Sequence, residues 1–373
     1  MFSRPLWAEI DLAALKHNVR QIKNMVHGRS KIMAVVKGDA YGHGAVQVVK
    51  SLQEEGITAF SVALLQEAKS LRKSGIKDQI LILGWTPAED FEEAVDYDLT
   101  LCIYDLDEAR LLSRIASEKK KTVTIHLKID TGMTRLGFLP GDKSAEEIKK
   151  IMGLPGLRIE GIFTHLSKAD QKNKEYSRLQ LKKFSEFTDQ IEENTGYKIP
   201  VRHAANSASI ISFPVSYFDM VRAGIILYGL RPSAELDFEK FDFKPVLSLK
   251  ARLSRVETIP VDTLVSYGGT FKTDHQTKIG TIPAGYADGY TRLLSGKGEV
   301  VIRGQKRPVV GAICMDQCMM IADGIDGVEK GEEIFLIGGD SEQETADDIA
   351  KKIGTINYEV ICMISARVPR KYV

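Results

Sequence analysis

Residues 99–129 read LTLCIYDLDEARLLSRIASEKKKTVTIHLKI. An apolar run at 99–103 leads into a longer stretch with helical spacing, and a second β-branched run follows at 123–129, so the segment reads strand, helix, strand. The same rhythm extends in both directions. Runs at 32–36 (IMAVV), 58–62 (TAFSV), 79–83 (QILIL), 159–163 (IEGIF), 201–204 (VRHA) and 221–226 (VRAGII) bring the candidate strands to eight. Most are apolar on both faces and lie about 20 to 40 residues apart, as the strands of a closed parallel (β/α)8 barrel would. The first helix shows the packing pattern: Asp11 can cap it, and Leu12, Leu15, Val19, Ile22 and Val26 recur along one face.

Beyond residue 241 the rhythm changes. VLSLKARLSRV, LVSYGGTF, KIGTIPAG, EVVIRG, RPVVGAICMD and EIFLIGG are β-rich runs separated by turn signals. The expected organisation is a TIM-like α/β barrel over 1–240 and a mainly β domain over 241–373, with the first ten or so residues a candidate to pack with the latter. One capped helix is expected there, because Thr345 precedes an acidic first turn and Gly354 follows its last lysines.

Composition excludes more than it identifies. The 373 residues are 43% hydrophobic and 27% charged, and 51 basic against 50 acidic residues leave a net charge of +1. That balance argues against disorder and gives no field for nucleic acid or an anionic membrane. Four scattered cysteines suit a reducing compartment. The opening MFSRPLWAEIDL lacks the apolar core of a leader, and no run reaches the roughly 20 apolar residues of a spanning helix. A cytoplasmic protein is expected.

In a closed βα barrel, functional side chains lie at the C-terminal ends of the strands. Lys37 ends the first strand and opens the loop GDAYGHG, with Tyr41 and His43; Lys128 ends the fifth, which continues to Arg135. His165 follows the sixth strand, Asn206 and Ser207 the seventh, and Arg222 lies inside the eighth. Each has an ordinary reading: a solvated lysine, a core histidine, a serine that caps a helix. Arg222 resists one, since a guanidinium in an apolar strand keeps its charge and needs fixed partners. A partly buried lysine has a lowered pKa and can condense with an aldehyde. A helix starting near Ser207 would offer N–H groups to an anion.

AVVKGDAYGHG, HLKIDTGMTRLG, FTHLS, HAANSAS, VRAGIILYG, VSYGGTF, GYADGY, GAICMD and TINYEV, in this order, resemble the motif set of the bacterial alanine racemases. The resemblance runs from about residue 5 to the C-terminus. It implies a fold-type III pyridoxal 5'-phosphate enzyme, a homodimer whose active sites lie between the barrel of one subunit and the β domain of the other. Lys37 would then carry the cofactor. Tyr41, Ser207, the backbone of Gly224 and Ile225, and Tyr358 would hold its phosphate, with Asn206 in the same cofactor-binding motif, and Arg222 would face its ring nitrogen. Two bases on opposite faces answer the need of racemisation: Lys37 for the proton of the D-amino acid, the partner subunit's Tyr267 for that of the L-amino acid. A phenol with a reference pKa of about 10 is a poor base near neutrality, and the family places His165 between this tyrosine and Arg222.

Arg135 and the Met315 backbone would meet the substrate carboxylate, Lys128 would be a carbamylated buttress of the arginine, and Tyr286 and Asp316 would support the site. Tyr286 and Tyr358 would narrow the entrance to suit alanine. The resemblance further implies D-alanine supply for peptidoglycan. The departures are Gly38, where alanine is common, and Thr134, where GMGR is usual. They keep open a serine-preferring or broad-specificity racemase. A fold-type III decarboxylase and a non-catalytic cofactor carrier are the remaining alternatives, against which SYGG, ICMD and the whole second domain speak. No metal site is expected: Cys314 and Cys318 read as core residues in an apolar strand.

Overall fold

The computed structural model describes residues 4–339 and 341–373. The first three residues, part of the stretch read above as lacking a leader, lie outside these. The chain divides into two units: Ala14–Ala40 with Ala45–Lys244, and the residues up to Ala13 with Tyr41–Gly44 and Pro245–Val373.

Strand β1 (Leu6–Ile10) belongs to the second unit, and the barrel begins with β2 (Lys31–Val35). It continues through β3 (Ala59–Val62), β4 (Gln79–Ile82), β5 (Thr100–Ile103), β6 (Val123–Lys128), β7 (Leu157–Phe163), β8 (Val201–His203) and β9 (Met220–Ala223), and closes in that order. All eight pairings are parallel, and the last strand returns to the first through Lys31 opposite Met220. Seven strands end within a residue of the positions read from the sequence. The eighth stops at Ala223 rather than residue 226, because Gly224 takes φ −116 and ψ −107 and Ile225–Tyr228 winds into a 3-10 turn.

Inside the barrel, Met33, Ala59, Leu81, Val201 and Met220 form one cluster with a residue from each of five strands. Outside, the helix Leu12–Val26 buries Leu15, Val19 and Ile22 completely; each such side chain contributes about 2 kcal/mol of hydrophobic stabilisation. The strands are covered on both sides, which is why they read as continuous apolar runs rather than alternating ones.

The second unit is built on a nine-stranded sheet. Its later strands are β10 (Leu247–Arg252), β11 (Arg255–Ile259), β14 (Thr277–Ile282), β15 (Glu299–Ile302), β16 (Gln305–Val310), β17 (Cys318–Ile321), β18 (Glu333–Ile337) and β19 (Arg370–Tyr372). The order is β11-β14-β17-β16-β15-β18-β10-β1-β19, and a short hairpin pairs β12 (Leu264–Val265) with β13 (Phe271–Lys272). The first strand is therefore held between β10 and the C-terminal strand. The helix Ala346–Ile353 starts and stops as its residues suggest: Thr345 and Asp348 form a capping box, and Gly354 closes it at φ 77. Among the described residues, no helix is long and apolar enough to cross a membrane.

Candidate functional site

The turn that follows β2 runs the wrong way round. Gly38, Asp39, Ala40 and Tyr41 have φ of 62, 52, 55 and 54, one turn of left-handed helix directly after Lys37. Left-handed backbone costs a non-glycine residue about 1–2 kcal/mol, so the surroundings must hold it. Asp39 Oδ1 accepts the N–H of Ala45 at 2.7 Å, the N–H of Ala40 donates to Val36 O at 2.8 Å, and that of Gly38 donates to Glu67. Strain of this kind is concentrated at functional sites. It delivers Lys37, half-buried, at the C-terminal end of β2.

Around the same end of the barrel the charges are mostly positive. Lys128 and Arg222 are buried and flank the ring of Phe163, 5.2 and 5.4 Å from its centroid. Burial, then the fields of Arg222 and Arg135, bring the Lys128 ammonium down to about 8, against the pull of Cys102 and Asp130. Burial, with Arg135 beside it, brings Arg222 down to about 9, so it remains a cation at neutrality. The Arg222 guanidinium donates to Thr164 O at 2.8 Å, Ala204 O at 3.1 Å, His203 Nδ1 at 3.0 Å and His165 Nδ1 at 3.3 Å. These are the fixed partners that an arginine in an apolar strand demands. His165 is held well below the usual imidazole range by burial and by the charges of Arg222, Arg135, Lys128 and Lys37, so it is neutral. Asp130, the nearby carboxylate, is occupied: Oδ1 accepts the N–H groups of Gly132, Met133 and Thr134 at 2.9 to 3.0 Å.

Asn206, not Ser207, is the helix cap. Its Oδ1 accepts the N–H of Ser209 at 3.0 Å, while its amide donates to Leu166 O. That leaves Ser207 as the first helical residue, with its hydroxyl accepting the N–H of Gly224 at 2.9 Å. Ile225 opens the 3-10 turn, whose first N–H groups point out of the turn. A buried hydroxyl and the start of this turn thus come together just past Arg222 in the chain.

In the second unit, three loops that are distant in sequence are joined. Ser266 Oγ donates to Ala312 O at 2.6 Å, and the N–H groups of Tyr286 and Ala287 donate to the carbonyls of Cys314 and Met315 at 3.1 and 3.0 Å. This brings Tyr267, Tyr286 and Met315 to one corner, exposed by 74, 44 and 53%. Tyr267 is flanked by Ser266 at φ 65, ψ −177, a conformation almost confined to glycine, and by Gly268 and Gly269 at φ 73 and 54. Asp316 pairs with Arg367, which also reaches the buried Asp288 at 2.9 Å. Tyr41 and Tyr358 lie together in this unit, ring centroids 6.2 Å apart, and burial pushes the Tyr41 hydroxyl up. The sequence-derived site residues therefore fall into two groups, one at the barrel's C-terminal end and one in the β unit.

Sequence reasoning passed over His203, His126, Glu160 and Phe163. The available signal was two histidines inside apolar strands, at 126 and 203, with no evident reason to be there.

Residues 10–232 match the family described as alanine racemase, N-terminal domain, and residues 246–372 match alanine racemase, C-terminal domain. The alanine racemase of Methanococcus maripaludis is 46% identical over 373 residues, covering all of both chains. That of Clostridium novyi is 47% identical over 372 residues, 99% of this chain and 96% of the relative. The solved alanine racemase of Clostridium difficile superposes with a TM-score of 0.97 at 41% identity, covering 100% of this chain and 97% of that one.

Proposed function

The chain belongs to the alanine racemase family, and on that basis we propose that it interconverts L-alanine and D-alanine by a two-base mechanism with pyridoxal 5'-phosphate. The observation that carries the reading is the cationic cluster at the barrel's C-terminal end, with Lys37 at its edge and the carboxylate of Asp130 already occupied. Such a site suits an anionic guest. Ser207 Oγ and the N–H of Ile225 are the donor chemistry a phosphate takes, joined by the N–H of Gly224 once it turns from Ser207 Oγ; Arg222 suits a basic ring nitrogen, and Lys37 is an amine for an aldehyde. Bound, the cofactor supplies an electron sink that makes the α-proton of an amino acid removable.

The remaining work falls to side chains. Lys37 takes and returns the proton on one face of Cα, and the partner subunit's Tyr267 does so on the other. Exposure of Tyr267 on its own chain supports delivery to a partner's site. Arg222, cationic and with its donors directed by three fixed acceptors, offers the ring nitrogen a hydrogen bond without handing over a proton. A permanent cation in that place would leave less charge in the ring and would disfavour side reactions. Arg135, exposed at the barrel mouth, and the Met315 backbone receive the substrate carboxylate, Tyr286 and Tyr358 narrow the entrance, and Asp316 supports the site. Lys128 as a carbamate would turn repulsion from Arg135 into attraction. We further propose that the protein works in the cytoplasm as a homodimer and supplies D-alanine for peptidoglycan.

The test is solvent exchange at Cα. Wild-type protein with cofactor in deuterated water should exchange the α-proton of both enantiomers. Tyr267→Phe should lower turnover of L-alanine on the order of 10²- to 10⁴-fold while a Lys37-side exchange of D-alanine persists. Undiminished turnover of L-alanine would remove Tyr267 from the mechanism, and faster turnover of serine than alanine would move the substrate.

A further inference from the structure

From Arg222 a chain of hydrogen bonds leads away from the site through the interior of the barrel. Arg222 Nη1 lies 3.0 Å from His203 Nδ1, His203 Nε2 lies 2.9 Å from His126 Nδ1, and His126 Nε2 lies 3.2 Å from Glu160 Oε2. Both imidazoles are completely buried, and Glu160 is about a quarter exposed. We propose that Glu160 and His126 are positioning residues, which act through His203 to hold Arg222 in the orientation that serves the cofactor ring. The proposal rests on the assignment of Arg222 made above.

The polarity of the chain follows from donor inventory. A guanidinium has no acceptor, so His203 must present a bare Nδ1 and carry its proton on Nε2. That proton can only go to His126 Nδ1, which must then be bare, so His126 carries its own proton on Nε2. Only an acceptor can stand next, and an ionised carboxylate is acceptor-only. The chain therefore has one self-consistent direction, set at one end by a permanent donor and at the other by a permanent acceptor. Burial first, then the field of Arg222, holds His203 well below its usual range; burial likewise lowers His126. The hydrogen bond from His126 keeps the Glu160 carboxyl below the usual range, so it stays ionised.

Two further features show that the fold makes room for this arrangement. Between β6 and β7 the register slips: Ile125 stands opposite Ile159, yet His126 stands opposite Gly161, leaving Glu160 as the extra residue of a bulge. Bulges re-aim side chains next to functional sites. At Gly161, a Cβ would lie 2.6 Å from the His126 ring, so only glycine leaves the imidazole in place. The His203 ring also stacks on Phe163, centroids 4.7 Å apart, the same ring that Lys128 and Arg222 flank. At its outer end Glu160 accepts from Gln79 and sits 3.6 Å from Arg158.

Glu160→Gln tests the relay, because a glutamine can donate as well as accept and so can reverse it. Reversal would set a His203 N–H against the N–H of Arg222. In protein labelled with nitrogen-15 in histidine, as purified, the wild type should show His126 and His203 protonated at Nε2, and E160Q should show Nδ1-protonated forms. The cofactor absorption maximum should shift, and kcat/KM should fall about tenfold, the worth of a hydrogen bond to a charged group. His126→Asn provides a second variant: its Oδ1 can take the place of the bare Nδ1, so His203 should keep its proton on Nε2 and the absorption should stay near that of wild type. Nδ1-protonated His126 or His203 in the wild type, or mixed His203 tautomers in H126N, would overturn the relay. Reversed tautomers with an unmoved absorption maximum would overturn its action on the ring. Arg222→Lys separates that outcome from a wrong placement of Arg222: if R222K also leaves the absorption unmoved, the assignment of Arg222 fails and the proposal with it.

Discussion

Thr134 has φ 58, a left-handed conformation that is a genuine outlier for a β-branched residue. That explains why glycine is the ordinary occupant of this position in the motif: the backbone demands it before any substrate does. Three N–H groups on Asp130 Oδ1, including that of Thr134, hold the turn against the strain and keep Arg135 at its end. Lys128 next to it carries the clearest consequence of pH. Its ammonium, brought down to about 8 from 10.5, binds fewer protons folded than unfolded between those values. The cost of burying the charge is thus present in full below pH 8 and is relieved as pH rises through that window. At pH 7.5 roughly a quarter of Lys128 is the neutral amine, the form that combines with carbon dioxide, against roughly one in a thousand for an ordinary lysine. Protein equilibrated with carbon-13 carbon dioxide at fixed pressure should show a carbamate resonance that grows from pH 6 to pH 8 and is missing in Lys128→Ala. A spectrum without it would leave Lys128 a buried cation above Phe163.

Helix ends and strand ends were the most readable elements. Thr345, Asp348 and Gly354 delimit their helix by local chemistry alone: a hydroxyl accepting the N–H of Asp348 at 3.1 Å, a carboxylate returning the bond at 3.0 Å, and a residue free to take positive φ. Thr345→Ala should therefore cost about 1 kcal/mol in urea unfolding of the protein; an unchanged midpoint would show that burial of Ile349 and Ala350 suffices. The barrel strands were readable for a different reason, because burial on both faces leaves an apolar run with no competing reading. What the elements concealed was where they deviate. The bulge at Glu160, the left-handed turn after Lys37 and the conformation of Ser266 have no compositional mark except a nearby glycine, since each is enforced by hydrogen bonds from residues elsewhere in the chain. The ordinary reading of Ser207 as a cap gave way on the same ground: Asn206 competes for that role from one position earlier, and the hydroxyl of Ser207 is engaged by Gly224 at the end of the neighbouring strand.

At the scale of the whole molecule, the candidate residues are divided between two units, Lys37 and Arg222 in one, Tyr267 and Met315 in the other. If each active site takes Lys37 from one subunit and Tyr267 from its partner, two inactive proteins can complement each other. Co-expressing Lys37→Ala with Tyr267→Phe should restore about a quarter of wild-type activity, because half of randomly assorted dimers are mixed and each holds one intact site. Activity no higher than that of the separate variants would place both bases in one chain.

The amino-acid sequence by itself determined the eight apolar runs, their closure into a barrel, the change to a β-rich second unit and the motif set that marks the family, because these depend on local periodicity and on residue types that few other patterns produce. Tertiary structure alone decided the place of the first strand between β10 and β19, that Asn206 rather than Ser207 caps its helix, and that His203, His126 and Glu160 form a line behind Arg222. A buried charge selects its partners by distance in space. Residues 126, 160, 203 and 222 become neighbours only when β6, β7, β8 and β9 pair side by side.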